Sequence, residues 1–245
     1  MAEDSKIEIT GFETMASAME YVDNYNNWIL GKFRPFTGKH FLEIGTGQGN
    51  FKKMLQPISD SYVSIDIDED VISRARARDP QGTYLVADAA AGDFTSRLSP
   101  FEIDTVICVN VLEHIPDHKK ALNNMVNVLK PGGHLLLFSP AFMHLYNDLD
   151  KLAGHVRRYR KRDVPVLLRD NKECELVLNE YFNPVGALGW WMNKFITHKN
   201  INSDNVNRQV LFFDRYVVPV SRVANGVMKY FWGQSIYCVI RKKNV

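Results

Sequence analysis

The chain has 245 residues, 45% of them hydrophobic and 24% charged, which suits one α/β domain with an elaboration. Its 30 Lys and Arg against 28 Asp and Glu leave a formal net charge of +2, too small a basic excess to mark a nucleic-acid binder. Three scattered cysteines in apolar, strand-like runs (Cys108, Cys174, Cys238), a polar acidic start and no apolar run near the ~20 residues that span a bilayer give a reduced, cytoplasmic protein as the expectation.

The spacing of Met15, Met19, Val22 and Ile29 predicts a capping helix over about residues 13–31, closed by Gly31. From residue 39 strands and helices alternate, the pattern of a parallel sheet with crossover helices. The first strand, residues 40–44, runs into Gly45-Thr46-Gly47-Gln48-Gly49, a loop free to lie against a ligand at the start of a helix over residues 51–55. A dinucleotide fingerprint would place its third glycine at position 50, which is Asn50. The G-x-G-x-G spacing, with Glu43 two residues ahead, is the competing reading. Strand two ends in Asp66, whose carboxylate is placed to take the two hydroxyls of a ribose. Asp68 reads as a helix cap. Strand three ends in Asp88-Ala89, strand four (residues 104–110) leads to Val111-Leu112-Glu113-His114, and Lys130-Pro131-Gly132-Gly133 turns the chain into strand five.

LEIGTGQG, the acid of SIDID, VADAA, VNVLEHIPD and LKPGGHLLLF resemble, in order and spacing, the motifs of class I S-adenosylmethionine (SAM) methyltransferases. The resemblance implies a Rossmann-like, seven-stranded, mostly parallel sheet in the order 3-2-1-4-5-7-6, with helices on both faces. It implies SAM as cofactor and S-adenosylhomocysteine as product. It places the cofactor on Glu43, Gly45, Thr46, Gly47, Gly49, Asp66, Ile67, Asp88, Ala89, Asn110, Val111 and His114; Tyr25 of the capping helix, apart from these motifs, is expected at the cofactor's amino-acid end. Methyl transfer from a sulfonium is an in-line displacement that needs alignment and exclusion of water. No paired His/Cys ligand spacing is visible, so no metal is expected.

The segment after strand five, with Gly154-His155-Val156-Arg157-Arg158-Tyr159, resembles a bacterial subgroup of the family and lies where the family builds its acceptor pocket. His155 is the expected base for a hydroxyl acceptor. Tyr159 is expected to orient the acceptor and Arg157 or Arg158 to hold an anionic group. Tyr146, Trp190 and Trp191 are expected on the acceptor side. The Asn/Asp-Pro-Pro-Tyr motif of base-methylating relatives is absent after strand four, and no binding domain is appended, so the expected acceptor is a small molecule, methylated at O or N. A protein or peptide methyltransferase and a non-catalytic SAM-fold scaffold are the alternatives.

Strands six (residues 175–181) and seven (residues 235–241) are expected about 50 residues apart, with a helical insertion over about 186–232 in a single domain. Val210, Phe213, Val217, Val220, Ala224, Val227 and Phe231 form an apolar heptad stripe, kinked near Pro219. That face is expected to be covered: as a lid over Trp190 and Trp191, as a homodimer interface, or on a membrane surface. Monomer and homodimer both remain open.

Overall fold

The computed structural model describes residues 16–244. Seven strands form one sheet in the order β3-β2-β1-β4-β5-β7-β6. They are β1 (His40–Ile44), β2 (Ser61–Asp66), β3 (Thr83–Val86), β4 (Thr105–Val109), β5 (His134–Pro140), β6 (Cys174–Phe182) and β7 (Ser235–Lys242). The first five pair in parallel, while β7 runs antiparallel to both β5 and β6. Successive side chains of a strand point to opposite faces, so a sheet covered on both sides reads as continuous apolar runs. In β5, Leu135 and Leu137 enter one core, and Leu136 and Phe138 enter the other.

The helices α1 (Asp23–Phe33), α2 (Asn50–Leu55), α3 (Glu69–Arg78), α4 (Phe94–Leu98) and α5 (His118–Asn127) alternate with these strands. Phe94 of α4 and Leu122 and Met125 of α5 pack in the first core; Trp28, Ile29 and Phe33 of α1 and Leu55 of α2 pack in the second. The N-terminal helix differs from expectation. Val22 (φ −91°, ψ 59°) breaks it into a short 3-10 turn, Ser17–Tyr21, and α1. Gly31 does not close it, because the helix continues until the fully buried Phe33 docks. The expected start at residues 13–15, Met15 included, lies outside the described residues. No residue at the start of α1 caps it with its own side chain; the buried Asp214 carboxylate accepts from the amides of Tyr25 (2.8 Å) and Asn24 (3.3 Å) instead.

Short helices α6 (Asp148–Leu152) and α7 (Asp163–Leu167) follow β5. The insertion between β6 and β7 holds α8 (Pro184–Met192), α9 (Asp204–Phe212), a π-helical turn (Phe213–Val217) and α10 (Val218–Met228). Its ends meet: Phe182 pairs with Ser235. Beside that pair, buried Asn183 (φ 61°) donates to Gln234 and accepts from the Gly186 amide and the Ser221 hydroxyl.

The expected heptad stripe survives only to the π turn. Val206 is buried and Val210, Phe213 and Val217 are half-buried, but Val220, Val227 and Phe231 stand 61–76% exposed. The wide turn adds to the helical repeat and advances the inward face by about one position, so α10 buries Val218, Ser221 and Asn225. The expectation that the whole stripe is covered is therefore corrected. No helix among the described residues is long and apolar enough to cross a membrane.

Candidate active site

At the carboxyl ends of β1, β2, β3 and β4 lies a cavity of about 1770 Å³, larger than the ~300–1,000 Å³ of an ordinary ligand pocket. Its first half is built by the glycine loop. The amides of Gly45 (2.8 Å) and Thr46 (3.1 Å) both donate to the Ile65 carbonyl, which pins the loop to β2. Gly45 has φ +77°, and a Cβ there would meet Val111 Cγ2 at 2.4 Å. Here glycine is required twice, by conformation and by space. Gly47 lines the cavity, whereas Gly49, also left-handed, caps α2. The loop leaves Thr46 Oγ1 and Gln48 Oε1 buried with no partner among the described residues, and both residues line the cavity. Buried polar atoms without partners are uncommon in native folds. Two on a glycine loop suit a polar ligand.

Three acids surround this half. Glu43 is buried on β1, accepts from the Ser64 hydroxyl at 3.0 Å, and is pushed up to about 8 by burial. Asp66, at the end of β2, is also raised by burial although the Asp68 amide donates to it at 3.1 Å. Asp88 is on the rim and accepts from the Ala90 amide. Ile67 and Ala89 line the same half. Asn110, which follows β4 at φ 53°, and Val111 form the wall facing the glycine loop. A non-glycine residue at positive φ stores strain of a kind concentrated at functional sites. Tyr25 lines the cavity within a cluster of Trp28, Phe138, Phe182 and Phe213 rings, and burial pushes its hydroxyl up to about 12. The set of a ribose-length acid, a tight loop and unpaired polar atoms fits an adenosyl cofactor.

The second half is mostly apolar along α8, α9 and the π turn, with Val185, Val206, Val210, Phe213 and Val217 in its walls beside Arg208 and Gln209. Between the halves stands a polar cluster. Asp150, fully buried in α6, accepts from His155 Nδ1 (2.7 Å), Arg158 Nε (2.8 Å), Trp190 Nε1 (3.1 Å) and the Asn147 amide (3.0 Å). These donors hold its pKa below the usual carboxylate range despite burial. With Nδ1 so engaged, His155 turns Nε2 toward Glu113 Oε1, 3.8 Å away. Glu113 is completely buried, and neither of its oxygens has a partner among the described residues. Burial raises its pKa. His114 meets His155 edge-on with ring centroids 4.9 Å apart, and its pKa is pushed down to about 4, by burial first and then by His155.

Several expected acceptor residues are placed elsewhere. Tyr159 is 2% exposed in the first core, its hydroxyl bonded to the Leu112 carbonyl (3.1 Å) and His118 Nδ1 (2.9 Å), so it braces the fold and does not orient an acceptor. Arg157 donates to the Ile115 and Pro116 carbonyls and clamps the loop after β4. Tyr146 donates to the His155 carbonyl and supports the loop from behind. Trp191 points outward against Phe195, 46% exposed. Arg158 and Trp190 do line the cavity, but both are bound to Asp150, which leaves Arg158 as a partner of that carboxylate and not a free anion clamp. Glu113 and Asp150 escaped the sequence reading. Asp150 had a signal, since Asn147-x-x-Asp150 is a capping box. Glu113 had only its place beside His114, and the 41 residues from there to His155 hid their meeting.

Residues 42–137 match a family model described as "Methyltransferase domain". The chain is 26% identical over 129 residues to the ubiquinone biosynthesis O-methyltransferase of Vibrio cholerae, covering 52% of each. It is 27% identical over 112 residues to that of Aeromonas salmonicida, covering 45% of this chain and 47% of the other. The chain thus spans about half the length of the curated relatives it matches. The N-methyltransferase NodS of Bradyrhizobium japonicum, solved with S-adenosylhomocysteine, shares the fold at a TM-score of 0.55 and 16% identity over 95% of both chains. Phosphoethanolamine N-methyltransferase 2 of Haemonchus contortus, solved with SAM, does so at 0.58 and 17% over 93% of this chain and 56% of its own. The sheet order and the glycine loop thus stand beside a methyltransferase-domain match over residues 42–137, and the chain shares its fold with structures solved with SAM or S-adenosylhomocysteine.

Proposed function

We propose that this chain transfers the sulfonium methyl of SAM to a hydroxyl oxygen of an apolar small molecule. The observation that carries this reading is the Glu113–His114–His155 cluster, a buried group of titratable side chains at a cavity whose acceptor half is mostly apolar. A hydroxyl must lose its proton as it attacks, whereas an uncharged amine need not lose one first. A buried group of titratable side chains beside the acceptor space favours the hydroxyl. The curated relatives, named as O-methyltransferases, agree with that choice.

In this reading SAM lies over the glycine loop, with Asp66 on its ribose hydroxyls. The acceptor enters beneath α8 and α9, which act as the lid of the single domain. The acceptor oxygen forms its bond to the methyl carbon as the carbon–sulfur bond breaks, leaving S-adenosylhomocysteine. The hydroxyl proton leaves at the cluster. Asp150 fixes the ring of His155, and the apolar walls keep water from the sulfonium.

The test is a screen of apolar phenols and alcohols with methyl-labelled SAM, read by mass spectrometry. Methyl ethers are expected. His155→Ala should lower kcat by ~10²–10⁴, the range of general acid–base catalysis, with S-adenosylhomocysteine affinity kept. Transfer to nitrogen alone, or an undiminished rate in the variant, would overturn the assignment.

A further inference from the structure

We propose that Glu113, His114 and His155 bind a divalent first-row transition-metal ion, and that this ion engages the acceptor hydroxyl. The inference deepens the hydroxyl-methylation reading and rests on it for the ion's role, but not for the ion's binding. One ligand atom from each of the three residues lies within 4.8 Å of the others. Two imidazoles and a carboxylate are the donors that suit such ions and leave coordination positions open. Donors ~2.0–2.2 Å from one ion stand roughly 3–3.5 Å apart, so the 3.8 Å from His155 Nε2 to Glu113 Oε1 needs to close by only a few tenths of an ångström.

Two further observations point the same way. Glu113 is fully buried with both oxygens unpartnered among the described residues, an arrangement that costs stability unless something occupies it. His155 gives Nδ1 to Asp150 at 2.7 Å, the carboxylate–imidazole pairing that orients a metal-binding histidine and fixes which nitrogen is free.

Asp150 is paired with Arg158, which leaves Glu113 as the carboxylate available to the ion. The ion's contribution is to lower the pKa of the hydroxyl it meets; with Nε2 on the ion, His155 serves as a ligand in place of a base, the proton passes to solvent, and the methyl moves as described above. His114 and His155 face the cavity, which gives both ion and acceptor access.

The experiment uses untagged full-length protein, stripped with a chelator and titrated with Co²⁺, followed by calorimetry and by the visible d–d bands of the ion. One equivalent is expected, with bands of a nitrogen- and oxygen-ligated site. Glu113→Gln and His155→Ala should abolish it, and Asp150→Asn should weaken it 10–100-fold, the usual effect of losing an outer partner. Glu113→Gln removes a buried carboxylate isosterically and should melt no lower than wild type, so its loss of binding would not be unfolding. No stoichiometric Co²⁺ binding, or binding unchanged in both variants, would overturn the site. Full methyl-ether formation by chelated enzyme would overturn the ion's role and leave the hydroxyl reading standing. One Co²⁺ bound through these residues, with transfer to nitrogen alone, would keep the site and remove that reading.

Discussion

Replacing Gly45 by alanine tests how the cofactor half is built. The substitution places a Cβ at φ +77° and 2.4 Å from Val111 Cγ2. The left-handed conformation costs a non-glycine residue ~1–2 kcal/mol, and forcing a methyl into an occupied space costs ~1–3 kcal/mol. Gly45→Ala should therefore lose about 2–5 kcal/mol in urea unfolding. It should also lose affinity for S-adenosylhomocysteine by calorimetry, because relief moves either the loop or the Val111 wall. The two costs are separable. Val111→Ala removes the clashing methyl and leaves the strain, so the double variant should recover about 1–3 kcal/mol relative to additivity, the range of coupling between residues in contact. Strictly additive effects in both assays would refute the argument that Gly45 is glycine for space as well as for conformation.

Three further outcomes follow from the geometry. Asp66→Ala should weaken S-adenosylhomocysteine binding by ~1.5–3 kcal/mol, the value of hydrogen bonds to a charged group, and wild-type affinity by calorimetry would remove Asp66 from the ribose. Glu43 titrates near 8 in the fold against 4.5 when unperturbed; a raised folded value means stability present below pH 4.5 and lost as pH rises through 8. Cofactor-free Glu43→Gln should lack that decline, so urea unfolding should show it gaining roughly 3–5 kcal/mol on wild type between those limits, and parallel pH curves would refute this. Tyr159→Phe should lose ~1–2 kcal/mol of stability with its two hydrogen bonds while methyl transfer stays within twofold; a large fall in kcat would restore it to the reaction.

What was legible in the sequence is what depends on neighbours along the chain. Strand β1 and the glycine loop are local patterns, and the acids at the ends of β2 and β3 follow once the strands lie side by side. The N-terminal break at Val22 was not legible, since Gly31 offered a plausible stop and the docking of Phe33 overrode it. The acceptor side failed for a different reason. Arg157, Arg158 and Tyr159 are adjacent and polar, yet one clamps a loop, one satisfies Asp150 and one sits in the core. Their roles depend on the direction of each side chain in irregular backbone, where no period tells inside from outside. Nor does a heptad show that a π turn will interrupt it after Phe212.

The pairing of Phe182 with Ser235 has a consequence for how the chain folds. Strands β6 and β7 are sheet neighbours, yet about fifty residues must be gathered before their first pair can close. Closing a loop of ~50 residues instead of ~4 costs about 2 kcal/mol more, by the logarithmic growth of chain entropy with loop length. The edge strand thus begins at a kinetic disadvantage to the β1–β2 and β4–β5 pairs, whose crossovers are shorter. The insertion removes that disadvantage only once it has structure of its own, when Asn183, Ser221, Asn225 and Gln234 draw its two ends together. The hydrogen bonds that tie the two ends of the insertion together therefore also bring β6 and β7 into register.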